Sequence, residues 1–200
     1  MARVILLGGA PAIGKSLAAQ RVASLLGIPC ISTDAIRQDM RKSLPRDQFP
    51  GLFLLDERTI GDPVDYLSRT PVDKIVSDVD QESRDVWQGV VVRMQNSEND
   101  SCVIEGVAVI PEKAFQFMNT HQHVKAAILV NSDAKRIRDI ISERGLGGPP
   151  DLFPEWIQRK QFDWVELSNA RYKSAAEHCG LPIIDLADER YVERIQDAVS

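Results

Sequence analysis

The chain has 200 residues, 44% hydrophobic and 26% charged, and its 24 Lys and Arg against 29 Asp and Glu leave a net charge of −5. That length suits one domain with a sizeable core, and the composition excludes a disordered, collagenous or coiled-coil chain. A sequence pI near 5.3 gives no basic footprint for non-specific nucleic-acid binding.

Val4–Leu7 is a short apolar run closed by Gly8-Gly9, the pattern of a buried strand. Lys15 to Leu26 turns helical, with Ala18, Val22, Leu25 and Leu26 on one face and Gly27 as the C-terminal cap. Ile28–Thr33 reads as a second strand and Asp34–Leu44 as a second helix with an Ile36–Met40–Leu44 stripe. Residues 45–71 hold several Pro and Gly and predict loops and short helical pieces. Val72, Ile75, Val76, Val79, Val86, Val90 and Met94 mark a long amphipathic helix, followed by a polar break over Asn96–Ser101.

Cys102–Glu105 with Val107 reads as a third strand, Glu112–Met118 as a brief helix and His123–Val130 as a fourth strand. Asn131-Ser132-Asp133 is helix-start chemistry ahead of Ile137, Ile140 and Ile141. Gly145–Pro150 is the densest cluster of helix breakers. A long helix follows through Trp156, Trp164 and Leu167 to about His178, then a fifth strand over Pro182–Leu186 and a C-terminal helix. Strands alternating with helices imply an α/β fold with a parallel sheet covered on both faces. The stretch 45–101 interrupts the alternation after the second strand and belongs above the carboxyl ends of the strands, where open sheets bind ligands.

No apolar run approaches the roughly 18 residues of a membrane span. The first dozen residues have the outline of a signal peptide, but a strand entering a glycine loop accounts for them better. Cys30, Cys102 and Cys179 are too few and too far apart for a disulfide framework or a zinc cluster. Reduced thiols in a cytoplasmic protein are the expectation. His121 and His123 have no third ligand in view and read as surface residues, and Trp87, Trp156 and Trp164 fall on apolar helix faces as core residues.

Gly9-Ala10-Pro11-Ala12-Ile13-Gly14-Lys15-Ser16 fits G-x-x-x-x-G-K-[ST] between a strand and a helix. A random chain of this length matches the pattern about one time in a hundred, before that context is counted. Glycines let the backbone curl so that N–H groups point at phosphate oxygens, and the helix entered through Leu17 adds its positive end. Lys15 is placed for the β/γ-phosphates of ATP and the Ser16 hydroxyl for Mg²⁺.

In Ser32-Thr33-Asp34-Ala35-Ile36-Arg37, Asp34, Arg37 and Arg41 lie within about 60° of one another on the helix, away from the apolar stripe. Asp34 is either a helix cap or the group that orients an acceptor hydroxyl, and Arg37 and Arg41 are either solvated or the grip on a substrate anion. Glu105, at the carboxyl end of a buried strand, is placed to reach metal or substrate. Around the breaker cluster, Arg136, Arg138, Arg144, Arg159, Lys160 and Arg171 supply cations to a loop that would close over phosphates.

With these segments in hand, the chain resembles the small-molecule P-loop kinases, the group of adenylate, shikimate and gluconate kinases, with the nearest likeness to 2-phosphoglycerate kinases. Gly9–Ser16, Ile31–Arg37 and Ile104–Pro111 carry the likeness. The resemblance implies a three-layer fold on a five-stranded sheet in the order 2-3-1-4-5. Residues 1–200 would form one domain, with 45–101 as a helical acceptor-binding region and 144–160 as a lid. It also implies Mg·ATP as donor, Asp34, Arg37, Arg41 and Glu105 toward the acceptor, Arg138 stacked on adenine and Arg144 as a lid arginine. Ala108 stands where a His is expected after Glu-Gly-Val, and Ala12-Ile13 where Gly is frequent. The reading is an ATP-dependent phosphotransferase acting on a hydroxyl of a small anionic metabolite. A nucleoside or polynucleotide 5′-hydroxyl kinase is the alternative within kinases, although the acidic balance argues against a long nucleic-acid acceptor. A nucleotide-dependent switch with a protein partner is the alternative outside them.

Overall fold

A computed structural model describes residues 3–59, 62–96 and 100–200. Residues 97–99 of the polar break, 60 and 61 of the loop-rich stretch, and the first two of the leader-like segment lie outside them. Five parallel strands form one sheet in the order β2-β3-β1-β4-β5, the order the resemblance implies. They are β1 (Val4–Gly8), β2 (Cys30–Ser32), β3 (Cys102–Gly106), β4 (Val124–Val130) and β5 (Ile183–Asp185). The helices are α1 (Lys15–Leu26), α2 (Thr33–Ser43), α3 (Leu54–Thr59), α4 (Pro63–Arg69), α5 (Val72–Asn96), α6 (Pro111–Thr120), α7 (Ala134–Arg144), α8 (Glu155–Cys179) and α9 (Tyr191–Ala198).

Every residue of β1 is buried, because both faces of the sheet are covered. Ile5 and Leu7 pack with Ala18, Ala19, Val22 and Ala23 of α1 and Ile195 of α9. Val4 and Leu6 face the other way, onto Val90 and Met94 of α5 and Ala114 of α6. Small alanines let α1 lie close to the sheet; Ala18 and Val22 are buried as predicted, with Ala19 and Ala23 beside them, but the stripe ends there, since Leu25 is 65% exposed and Leu26 lies at the surface. Trp87 and Trp164 are core residues as expected, but Trp156 is 56% exposed because it sits in the first turn of α8, ahead of the buried Ile157.

The insertion between β2 and β3 is a 3₁₀ turn (Pro50–Phe53) and α3 to α5. Its upper end is tied to the segment after α7. Leu67, Ile75 and Val76 pack against Phe153, Ile157 and Trp164 in a cluster separate from the sheet. Gln161 of α8, fully buried, donates from Nε2 to the Leu146 carbonyl at 2.7 Å and pins the breaker loop to the helix. Both sides of the cleft above the strand ends are thereby held to the same two long helices, α5 and α8.

Candidate active site

The phosphate loop is a backbone structure held from below. Gly9 has φ +152 and its Cα lies so close to the Leu129 carbonyl that a side chain would collide with it. Gly14, at φ +94, is the N-cap residue of α1 and turns the chain into the helix. Ala12 takes φ +53, the left-handed region where a residue with a Cβ carries about 1–2 kcal/mol of strain. Ile13 explains how the loop bears that strain. It is fully buried in the α1 side of the core, and its carbonyl accepts from Asn131 Nδ2 at 2.9 Å.

Asn131 is the residue whose role the sequence left unread. Its Oδ1 accepts from the Asp133 backbone at 2.9 Å, and its own backbone exchanges hydrogen bonds with the Asn169 amide of α8. One buried amide therefore links the phosphate loop, the start of α7 and the middle of α8. Asp133, not Asn131, caps α7 by accepting from Arg136 N. The triplet does contain the helix start, but its first residue is a staple.

Lys15 and Glu105 meet at the floor of the loop, Nζ to Oε2 at 3.2 Å, with both side chains over 90% buried. The sheet register brings them together, since Leu7 pairs with Glu105 and the lysine emerges one loop beyond β1. Burial, with the Glu105 carboxylate second, pushes the neighbouring Cys30 thiol up to about 11. A cavity of about 200 Å³ opens above the loop. Ala12, Gly14, Lys15, Ser16 and Leu17 line one side and Ile140, Arg144, Gly145 and Leu146 the other. Arg144 and the beginning of the breaker segment thus share a wall with the phosphate loop.

The acceptor-side residues converge differently. Ser32 pairs with Glu105 across the sheet, and a Cβ on Gly106 would run into Thr33, so the start of α2 sits hard against the end of β3. Ser32 Oγ, not Asp34, caps α2 by accepting from Ala35 N. The Asp34 side chain is 70% exposed and lies 3.6 Å from Arg37. Arg37 and Arg41 do not face open solvent. Both reach Glu82 of α5, Arg37 through Nη1 and Arg41 through Nη2 at 3.4 Å. Arg41 also bonds the Leu52 carbonyl and Asp56. Burial opposes the charge on Arg37, but Glu82 and Asp34 outweigh it and hold the guanidinium above its ordinary value. Burial pushes the Glu82 carboxyl up, against the pull of Arg37 and Arg41. One turn earlier the fully buried Asp78 takes Arg58 at 2.7 Å, Lys74 at 2.5 Å and the Tyr66 hydroxyl at 3.0 Å. The carboxylates at 78, 82 and 85 recur at helical spacing, a signal present in the sequence beside the apolar stripe of α5.

Arg138 and Arg136 leave α7 on different faces. Arg138 does not approach the phosphate loop. Its guanidinium lies 4.2 Å from the Phe162 ring and faces a separate cleft of about 810 Å³ between α7 and α8, shared with Arg159 and Trp156. Arg136, two residues earlier and so on another face of α7, reaches the Leu186 carbonyl at 3.4 Å and comes within 4 Å of the space beside Gly14. Lys160 binds the Ser68 carbonyl. His121 stacks on Phe117 and touches His123 edge-on; among the described residues no cluster of acids, histidines and cysteines suits a metal ion on its own. The three cysteines are free.

The parallel sheet in the order 2-3-1-4-5, with a glycine loop closing on a buried lysine at the end of β1, is the architecture of the P-loop small-molecule kinases. Shikimate kinase from Bacteroides thetaiotaomicron shares the fold, with a TM-score of 0.54 and 16% identity over 98% of this chain and 95% of that one. In sequence the chain is similar to 2-phosphoglycerate kinases. It is 28% identical to that of Methanocaldococcus jannaschii over 187 residues, 91% of this chain and 58% of the relative. To that of Methanothermobacter thermautotrophicus it is 29% identical over 196 residues, 92% of this chain and 61% of the relative. The chain therefore spans about three fifths of the length of these relatives. No family profile matches it.

Proposed function

We propose that the chain is an ATP-dependent kinase that transfers the γ-phosphoryl group to a hydroxyl of a small anionic metabolite, a 2-phosphoglycerate-like acid. The observation that carries the reading is the buried Lys15–Glu105 pair beneath a glycine loop whose cavity is walled by Ser16 and Arg144. The donor set suits Mg·ATP: backbone N–H groups and a helix start for phosphate oxygens, one lysine, one hydroxyl and one carboxylate at a strand end. Bound there, Mg·ATP supplies the transferable phosphoryl group.

The protein's work is positioning and charge. Lys15 exchanges its carboxylate partner for phosphate oxygens, which frees Glu105 to face the metal or its waters. Arg144 would approach the same oxygens from the α7 side, and Arg136, which comes within 4 Å of the space beside Gly14, would take the place beside the nucleotide first expected for Arg138. Asp34, exposed beside Arg37 and not used as a cap, would orient the acceptor hydroxyl. Arg37, held by Glu82, meets the acceptor's anionic group, with Arg41 behind it. In this reading residues 45–101 form the acceptor side and 144–160 the lid of one domain.

Support for the acid acceptor comes from Arg37 and Arg41 of α2, gathered against Glu82 of α5, and from the names of the curated relatives. The test is label transfer from ATP to 2-phosphoglycerate, to other small hydroxy acids, and to nucleosides and oligonucleotides. Transfer to a small acid is the expected result. Label moved only to a nucleoside or oligonucleotide, or hydrolysis indifferent to every small acceptor, would overturn it.

A further inference from the structure

A second polar cavity, of about 240 Å³, lies behind the β3–α6 loop, where α6 begins between the long helices α5 and α8. None of its lining residues belongs to the phosphate loop or to the Asp34–Arg41 face. The geometry points to a binding site for a small oxyanion, phosphate or carboxylate, bridging α5 to α8 over the N-terminus of α6.

Three independent features converge on it. The first turn of α6 opens into the cavity at Pro111 and Glu112; proline has no N–H, and the next two N–H groups lack partners within the helix. Ser83 of α5 is 96% buried and lines the same space, yet among the described residues nothing pairs with its hydroxyl. The hydroxyl is open to the cavity, where a ligand oxygen can accept its proton. Finally, one arginine arrives from each long helix. Arg84 of α5 makes no ion pair among the described residues, and Arg171 of α8 holds Asp80 only loosely, at 3.5 Å.

Asp80 and Glu112 belong to the cavity as well, and they set the kind of ligand. Two acids beside two arginines offset much of the positive charge and suit a small anion that also carries a hydroxyl, as hydrogen phosphate and a hydroxy acid both do, since the acids can accept from it. Burial pushes the Asp80 carboxyl up, against the pull of Arg171 and Arg84. The floor of the site touches the catalytic side: Tyr172, beside Arg171, donates its hydroxyl to the Val107 carbonyl, two residues past Glu105. An anion tying Arg84 to Arg171 would fix the spacing of the two helices that carry the acceptor side and the segment after α7.

Residue-resolved NMR separates this site from the phosphate loop. Inorganic phosphate and D-glycerate are titrated separately into ¹⁵N-labelled protein. Saturable shifts of the Ser83, Glu112 and Lys113 amides are expected with at least one of the two, and the better probe identifies the headgroup. In Arg84→Ala, an exposed position, the dissociation constant read at those amides should rise about tenfold or more, while shifts at Gly14, Lys15 and Ser16 stay as in the parent. Shifts confined to the phosphate loop, or shifts near α6 that ignore both Arg84→Ala and Ser83→Ala, would overturn the proposal. Failure of the phosphate-loop amides to respond to Mg·ATP would count instead against the kinase reading, so the two can fail separately.

Discussion

Eight consecutive residues build the phosphate loop, whereas the proposed acceptor side takes a guanidinium from residue 37 and its carboxylate from residue 82. The first is backbone chemistry. It needs glycine at two positive-φ positions, one lysine and one hydroxyl, and all of these sit in a single stretch of chain. The second is side-chain chemistry across two helices and depends on where the tertiary fold brings α5. Charge is handled differently too. Lys15 has one buried partner that a phosphate can replace, while Arg37 and Arg41 share a buried acid that keeps them in place whether or not a ligand is bound. The loop is a socket with one charge in reserve; the acceptor face is a preorganised fork.

The largest break in that comparison is Lys15→Ala. It removes the only side-chain cation built into the loop and leaves Glu105 buried without its partner. Transfer should fall by about 10³-fold or more, and ATP affinity should fall with it. Steady-state kinetics beside calorimetric titration with Mg·ATP checks this. Near-normal turnover would mean that the loop does not carry the chemistry.

Asp34→Asn breaks the other side. Ser32 already caps α2, so the substitution leaves the helix start intact. In the proposed mechanism it removes the charge that orients the acceptor hydroxyl, and positioned acid–base groups are worth about 10²–10⁴ in rate. Transfer should drop at least about a hundredfold, with ATP affinity within severalfold of the parent. If the variant keeps full activity, Asp34 is only an exposed first-turn acid.

This contrast also explains what could be read before the fold was known. The order and type of the elements were legible, because α1, α5 and the strands carry strong period and clear stops at Gly27, Gly106 and Gly145. The phosphate loop was legible because its chemistry is contiguous. Glu82 and Asp78 were not picked out, since a carboxylate on a long helix usually faces water, and only the packing of α2 and α3 against that face buries them. Arg138 and Arg136 differ by two residues and thus by about 200° around α7, so a count of positions past β4 could not choose between them. Asn131 reads only as part of a helix-start triplet because its partner, the Ile13 carbonyl, lies 118 residues away.

Asn131→Ala tests whether the loop's stiffness matters as much as its charge. The Ile13 carbonyl and the Asp133 N–H lose their partners, at about 1–3 kcal/mol for each buried group left unpaired. Without that hold, Ala12 can relax from its left-handed conformation and the cradle loses its preset shape. The melting temperature should fall and the dissociation constant for Mg·ATP should rise about tenfold, with little change in acceptor KM once ATP is saturating. A lower melting temperature with unchanged ATP affinity would separate the staple from function.

The smallest effect reads the Lys15–Glu105 pair from the side. Cys30, half-buried on β2, has its thiol pushed from the ordinary 9.0 to about 11, first by burial and then by the Glu105 carboxylate, with Lys15 pulling the other way. At pH 8 the thiolate fraction is on the order of one in a thousand, so alkylation by iodoacetamide should be slow. Its rate should climb about tenfold per pH unit through pH 10, where an ordinary thiol has already levelled off. The linkage has a definite sign. The unfolded chain loses this proton first, so the neutral thiol's contribution to stability is complete below pH 9.0 and drains away as pH rises toward 11. Mg·ATP should slow labelling further, because Lys15 turns from Glu105 to phosphate and no longer favours the thiolate. Glu105→Gln should speed labelling at pH 9 severalfold, yet keep the thiol above its ordinary value, since burial is the larger cause. Mass spectrometry at the Cys30 peptide resolves it from Cys102 and Cys179. A labelling rate that levels off near pH 9 in the parent would mean that the carboxylate and the buried thiol are not neighbours in solution, and the floor of the phosphate loop would have to be redrawn.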